Sequence, residues 1–363
     1  MMDRGLRIGG GGVPGVASKD PARMPSPIEL NIPVVQAALS GYSDLAMRRV
    51  ARAHGAPYAL AEVVLDELVI RRGKERRRIL GLPEDDHPVG GQLMGSQPSM
   101  FGDAAKDLVI AGYDVVDINF GCPVSKVLGR CRGGFLLSDP DTALEIVERV
   151  LQSVAGDVPV TVKMRRGMDD SEDSERSFFQ ILDGVYELGV SAVTLHARTV
   201  RQRYQGPSRW SFLKLVKERV GHHVLLGSGD LFSAVDAHNM MEETGVDGVS
   251  LARGCIGNPW IFEQVGDLFA GREPKGPGMV QMREAIELHW RHATELYGSE
   301  KAVRKVRRHA IKYAQLHPEP VRARDAFVAA FSDQALSEVL DEFYDESRYL
   351  HYEAPLTKPL EIR

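Results

Sequence analysis

The chain has 363 residues, 45 Lys and Arg against 50 Asp and Glu for a net charge of −5, and 43% hydrophobic residues. Such a composition suits a soluble globular protein with one large core and room for a second, smaller domain. It excludes a general attraction to nucleic acid, so a partner of that kind needs a local basic patch, and no apolar run is long enough to span a bilayer. Cys122, Cys131 and Cys255 are too scattered for a disulfide framework or a zinc pattern. A reducing compartment, the cytoplasm, is expected, with no metal and no membrane partner.

Residues 1–29 carry charges, the run Gly9 to Gly12 and several prolines, but no apolar stretch of the kind that leads a secreted chain. They are expected to form a flexible tail outside the fold. From about residue 30, short β-rich runs alternate with longer helical ones. Strands are expected at 32–37, 58–64, 89–94, 115–119, 158–164, 192–196, 224–227 and 248–251. Amphipathic helical patterns fall between them, at 45–53, 143–154, 178–188 and 234–243. Gly112, Gly189 and Gly245 each close a helical pattern and precede a polar residue at or near the start of the next strand. Glycine reaches the left-handed conformation cheaply, which suits it to ending helices. Eight strands with their helices over roughly 240 residues fit a (β/α)8 TIM barrel of the α/β class, spanning residues 30–273. A doubly wound sheet fits less well, because no Gly-x-Gly-x-x-Gly follows the first strand.

Chemistry in such barrels gathers where strands end. The residues there are Ala38 and Leu39 after the first strand, Gln92 near the end of the third, and Asn119 and Cys122 after the fourth. Lys163 and Arg165 end the fifth, His196 and Arg198 the sixth, Ser228, Gly229 and Asp230 the seventh, and Ala252 and Arg253 the eighth. Cys122 stands before Pro123 and the loop glycines Gly129, Gly133 and Gly134. That position suits a thiol that meets a ligand, although free cysteines are commonly inert and buried. An inward Lys163 in an apolar strand is costly unless an anionic ligand or a carboxylate meets it. His196 fits either a satisfied core histidine or a contact at the rim. The loops at 228–230 and 252–253 lie where these barrels hold a phosphate, and Arg253 would add a charge-assisted contact.

After residues 274–277 the pattern changes to helices alone, expected at 282–297, 301–316, 323–331 and 336–344. A small helical bundle over 274–348 follows, then a C-terminal tail, 349–363. Lys301, Arg304, Lys305, Arg307, Arg308 and Lys312 share one helix. A run like that is either a solvated face or a surface that tracks phosphates. The acidic stretch 333–346 reads as a counterface.

In order, the segments Ser40-Gly41-Tyr42-Ser43-Asp44, Gly91-Gln92-Leu93-Met94-Gly95-Ser96 and Asp117-Ile118-Asn119-Phe120-Gly121-Cys122-Pro123 carry a resemblance. Val160-Thr161-Val162-Lys163-Met164-Arg165, Leu195-His196-Ala197-Arg198-Thr199, Tyr204-Gln205-Gly206 with Trp210, Gly229-Asp230 and the stretch 253–260 continue it. Over residues of about 30–330 the chain resembles the tRNA-dihydrouridine synthase family, most closely its bacterial DusB-like branch. The resemblance implies reduction of a uridine C5=C6 bond in tRNA by FMN, with NADPH refilling the flavin. It makes Cys122 the proton donor, Ala38, Leu39, Ser40, Gln92, Lys163 and His196 flavin contacts, and Ser228, Gly229, Asp230, Ala252 and Arg253 the phosphate end of the site. Lys301, Arg304, Lys305, Arg308 and Lys312 then belong to an RNA-binding domain. Asn119, Arg198, Arg201 and Tyr204 are candidates for holding the uracil or its phosphate.

An acid that protonates C5 opposite an incoming hydride works as a neutral thiol, so Cys122 is expected to keep an undepressed pKa. Lys163 near the flavin would favour its anionic reduced form. The chain departs from the family's usual pattern at Ala37-Ala38-Leu39, where Ala-Pro-Met is usual, and at Ser228, where Asn is usual. Both changes touch the flavin site. Two other readings are a flavin barrel acting on a free pyrimidine and an RNA-binding homologue that has lost its cofactor. A monomer is expected.

Overall fold

β-branched and small residues dominate the strands, and their side chains alternate between lumen and helices. The computed structural model describes residues 5–9 and 27–356. Its strands are β1 (Leu6–Ile8), β2 (Ile28–Leu30), β3 (Val34–Gln36), β4 (Ala59–Leu60), β5 (Val64–Leu65), β6 (Val89–Met94), β7 (Val115–Phe120), β8 (Val160–Arg165), β9 (Ala192–His196), β10 (Leu225–Ser228) and β11 (Gly248–Leu251). Nine of them run in the order β4-β3-β11-β10-β9-β8-β7-β6-β5, and a β4–β6 pairing closes the cylinder. β4 and β5 both pair with β6, so they are two pieces of one stave, and the barrel has the eight staves of a TIM fold. The single strand expected over 58–64 is therefore broken at 61–63.

The intervening helices are α1 (Leu45–Ala53), α2 (Asp66–Ile70), α3 (Lys74–Leu80), α4 (Pro98–Ile110), α5 (Ser125–Leu128), α6 (Pro140–Val154), α7 (Glu172–Glu187), α8 (Trp210–Val220), α9 (Ala234–Thr244) and α10 (Ile261–Phe269). Their starts are written locally. Asp44 caps α1 by accepting from Met47 N–H, and Asp139 caps α6 ahead of Pro140 at the first helical position. Ser171 caps α7, whose first turn holds Glu172, Asp173 and Glu175. Their ends are equally local: Gly112, Gly189 and Gly245 have φ of +96°, +98° and +73°, the stops expected of them.

Two compact units emerge. The first comprises Met1–Ala38, Tyr58–Asp230 and Met240–Ser250, the second Leu39–Pro57, Leu231–Asn239 and Leu251–Arg363. Division by compactness thus runs differently from the change of pattern at residue 274, since α1 groups with the C-terminal helices. In the first unit, β1 and β2 form an antiparallel ribbon whose Leu6, Ile8 and Leu30 join Val35, Tyr58, Leu60, Val115, Ala192 and Leu226 in one apolar cluster. This cluster fills the barrel around the starts of its strands. Each large side chain so buried is worth about 1.5–3 kcal/mol.

The tail expected over residues 1–29 falls largely outside the described residues; where it is described, Leu6–Ile8 is a strand rather than a loose end. The second unit holds α11 (Met279–Tyr297), α12 (Ser299–Tyr313), α13 (Pro320–Ala329) and α14 (Asp333–Phe343), packed about Met282, Ile286, Val306, Tyr313, Phe327 and Leu340. Of the expected C-terminal tail, residues 357–363 lie outside the described residues; Ala354 is buried and Tyr352 donates to Leu316 O. Among the described residues no helix is long and apolar enough to cross a membrane.

Candidate active site

β7 is buried throughout, and its alternation sends Val115, Asp117 and Asn119 to the lumen side. Asn119 ends the strand. Its Oδ1 accepts from Gly121 N–H (3.0 Å) and Cys122 N–H (3.1 Å), a side-chain turn that sets where the thiol stands. Its Nδ2 donates to Gln92 Oε1 (2.7 Å), Gln92 Nε2 donates to Asp117 Oδ2 (2.6 Å), and Thr161 Oγ1 donates to Asp117 Oδ1. A carboxylate only accepts, so Asp117 fixes the orientation of both amides in sequence, from itself to the backbone of Cys122. Asp117 is 2% exposed. Burial pushes its carboxyl up to about 6, against hydrogen bonds from Thr161 and Gln92 and the charge of Lys163.

Cys122 is half-buried, and burial raises its thiol against the Val124 amide and the Arg165 charge. The thiol is therefore neutral near pH 7. Two glycines make room for it. Gly134 N–H donates to Cys122 O (3.1 Å), and a Cβ on Gly133, at φ +59°, would stand 2.8 Å from Cys122 Cβ. Arg165, also buried, ties this turn to the loop after β9. Its Nε donates to Gly121 O (3.0 Å), and its Nη1 donates to Thr199 O (2.9 Å) and Arg203 O (2.7 Å).

Lys163 is the register partner of Asn119 on β7 and of Thr194 on β9. Its Nζ is buried and has no hydrogen-bond partner. Burial pushes the ammonium down to about 8, with Asp117 pulling up and Arg165 pushing further down. An orphaned ammonium at a strand end fits a ligand that brings an acceptor or a negative charge. His196 pairs in register with Arg165 on one side and Ser228 on the other. Its Nε2 lies 3.3 Å from Arg198 Nη1, and because arginine only donates, that nitrogen is the acceptor. Ser228 Oγ donates to Ser250 O (3.2 Å). Gly229 has φ +112°, and a Cβ there would come within 2.3 Å of Ser208 Oγ and 2.9 Å of His196, so the backbone passes too close for any side chain.

Arg198 and Asp230 take up each other. Arg198 Nη2 reaches both oxygens of Asp230 (2.8 and 2.7 Å), its Nε donates to Gly206 O (3.0 Å), and the residue is 3% exposed. Arg198, expected at the substrate, and Asp230, expected at the cofactor, form an internal ion pair that joins two loops. Arg201 and Tyr204 are exposed, Arg201 beside Asp169 (2.6 Å) and Tyr204 beneath the Arg165 guanidinium (5.5 Å). Asp117 and Thr161 were not singled out in the sequence, although they precede Asn119 and Lys163 by two on the same strand face. No group of side chains among the described residues is arranged to hold a metal ion.

Ala38 ends the first-unit segment, half-buried. In the second unit, Leu39 N–H donates to Ser43 Oγ (2.8 Å) and Ser40 is exposed. Ala252 precedes a short turn, Arg253–Cys255, in which the Arg253 guanidinium lies 5.0 Å over the Phe232 ring. On α12, Lys301, Arg304 and Arg308 are exposed, whereas Lys305 and Lys312 are half-buried. Lys305 stands 4.6 Å over the Tyr297 ring, and Arg308 Nη1 donates to Gly41 O (2.6 Å).

A closed parallel barrel with an undissociated thiol, a buried ammonium and an amide chain at its strand ends has the layout of a TIM-barrel enzyme. Among solved structures, histamine dehydrogenase from Rhizobium sp. 4-9 shares the fold, with a TM-score of 0.53 at 15% identity over 78% of this chain and 50% of that one. Residues 35–347 match the family model for dihydrouridine synthase. The chain is 32% identical over 320 residues to the probable tRNA-dihydrouridine synthase of Rickettsia typhi, covering 87% of this chain and 96% of that one. To the protein of the same name from Mycobacterium tuberculosis it is 32% identical over 331 residues, covering 88% and 84%. This chain belongs to the dihydrouridine synthase family.

Proposed function

We propose that this chain reduces the C5=C6 bond of uridines in tRNA to dihydrouridine in the cytoplasm, with bound FMN, NADPH as electron donor and Cys122 as general acid. Bound flavin would supply the hydride chemistry. The chain's own share is positioning and proton transfer. Supporting this reading is the pairing in register of Lys163, whose ammonium lacks an acceptor, with Asn119, which holds the Cys122 turn. An orphaned cation beside a poised acid suits an electron-rich cofactor next to a carbon that must be protonated.

Gln92, Lys163, His196, Ser228 and Gly229 would hold the flavin from the first unit, and the roles expected of Ala38, Leu39, Ser40, Ala252 and Arg253 belong to the same proposal. Asn119 would orient the uracil through the chain anchored at Asp117. Arg201 and Tyr204, exposed near the thiol loop, would meet the flipped nucleotide or its phosphate. Lys301, Arg304, Lys305, Arg308 and Lys312 would contact the tRNA backbone.

The test is direct. Purified protein should show the flavin absorbance bands and, with NADPH and unmodified tRNA, yield dihydrouridine detectable by mass spectrometry. Turnover of free uracil with no activity on tRNA would overturn the substrate, and protein that cannot be loaded with flavin would overturn the chemistry.

A further inference from the structure

Between α2 and the end of α3 lies the densest run of positive charge in the first unit: Arg71, Arg72, Lys74, Arg76, Arg77 and Arg78, with Glu75 the one acid among them. Asp107, Glu62 and Tyr113 fix the segment to the barrel, and Glu75 braces it from within. Arg76 pairs with Asp107 on α4 (2.7 Å), Arg78 with Glu75 (3.0 Å) and Glu62 (3.9 Å), and Tyr113 Oη donates to Ile79 O (2.7 Å). The other four cations, Arg71, Arg72, Lys74 and Arg77, are exposed and have no acidic partner among the described residues. Some other exposed arginines of this unit do have one, as in Arg201–Asp169 and Arg219–Asp183 (both 2.6 Å).

Like charges crowded this closely repel one another, and in a chain of net charge −5 the acids to quench them are plentiful. Four exposed cations without an acid, clustered in one short segment, suit a polyanion from outside. Guanidinium forks match phosphate oxygens, and a seat pinned by Arg76 and Ile79 presents them from a fixed place.

We propose that the exposed segment 71–78 is a second surface for the tRNA backbone, on the barrel unit and separate from the cations of α12. It rests on the reading of tRNA as substrate. It binds phosphates without reading sequence, so it adds affinity and salt dependence but no choice of nucleotide.

The experiment compares wild type with the combined variant Arg71→Gln, Arg72→Gln, Lys74→Gln and Arg77→Gln, using an unmodified tRNA transcript and a KCl titration. None of these four side chains holds the fold together, so the variant should melt as wild type does. Each lost phosphate contact flattens the slope of log affinity against log salt by about 0.7–0.9. A loss of two or more in slope, with at least tenfold weaker binding near physiological salt, is expected. Glu75→Lys, a gain of charge in the same place, should steepen the slope and tighten binding, and it keeps the idea testable if the combined variant misfolds.

An unchanged slope in both variants overturns the surface. So does binding to phosphatidylglycerol vesicles that the combined variant loses while its affinity for tRNA stays intact. Wild type that binds tRNA through this segment yet forms no dihydrouridine leaves the surface standing and removes the catalytic reading. Wild type that forms dihydrouridine while the slope is indifferent to the segment removes the surface alone.

Discussion

The two ends of the barrel lumen are built from the same strands two residues apart. Around the strand starts, Val115, Ala192 and Leu226 pack with Leu6, Ile8 and Leu30. Two positions further along, the same face carries Asp117, Thr194 and Ser228, and two further still on β7 and β9 it carries Asn119 and His196. Alternation with a period of two makes each strand a ladder whose lower rungs are apolar and whose upper rungs are polar. The lower end gains stability from burial that needs no direction. The upper end puts buried polar groups where each must be met by a specific partner, and the Lys163 ammonium is among those left without. Stability and chemistry are thus separated along the barrel axis, and substitutions at the two ends should fail in different ways.

The largest effect belongs to the thiol. Cys122→Ala should lower dihydrouridine formation by about 10²–10⁴-fold, the usual worth of a positioned acid, while flavin absorbance and melting temperature stay near those of wild type. Full turnover in that variant would reassign the acid. At the opposite end, Leu226→Ala should cost about 2–5 kcal/mol of stability in chemical denaturation and leave the pH dependence of the reaction where it was. A shift of that pH dependence would show that the two ends are coupled.

Asp117→Asn comes next and crosses the divide. An amide cannot accept from both Gln92 and Thr161 without leaving a proton unpaired, so about 1–3 kcal/mol of ordering in the chain to Cys122 is lost. The rate should fall about tenfold to a hundredfold, mostly in kcat. Stability should move the other way with pH. The Asp117 carboxyl sits at about 6 when folded, above its ordinary 3.8. Its contribution is fully present below the ordinary value and is lost as pH rises through about 6. Urea denaturation at several pH values between 4 and 7 should therefore show wild type losing ground to the variant as pH rises. A constant difference between them would mean that Asp117 titrates as it does in water.

The apolar end of this comparison was legible in the sequence and the polar end only in part. Period-two runs and the glycine stops at 112, 189 and 245 specify strands and helix ends locally, so the barrel follows from neighbours in sequence. Cys122, Asn119, Gln92, Lys163 and His196 stood out as candidates because each lies at or near the end of such a run. Which of them bond to one another was not legible, since Gln92 and Asp117 lie on different strands, 25 residues apart. Nor was the pairing of Arg198 with Asp230, 32 residues on, which only the fold brings together. The ribbon Leu6–Ile8 escaped for another reason. Three residues are too few to show a period, and its partner Ile28–Leu30 is distant in sequence.

The smallest effect tests the polar end most sharply. Lys163 is pushed down to about 8 from its ordinary 10.5, chiefly by burial. The unfolded chain therefore holds that proton between about pH 8 and 10.5 while the folded one has released it, and stability from this group recovers as pH rises through that window. Binding of an electron-rich or anionic cofactor must run the opposite way, because it draws on the protonated amine. FMN affinity, followed by quenching of flavin fluorescence, should hold steady up to about pH 8 and then weaken, by at most about tenfold per pH unit. Lys163→Met should bind more weakly at pH 7 and show a flat profile to pH 9. Asp117→Asn, by removing the charge that holds the ammonium up, should start the decline at lower pH. A profile that survives Lys163→Met intact would place the titrating group elsewhere and leave the orphaned ammonium without a role in holding the cofactor.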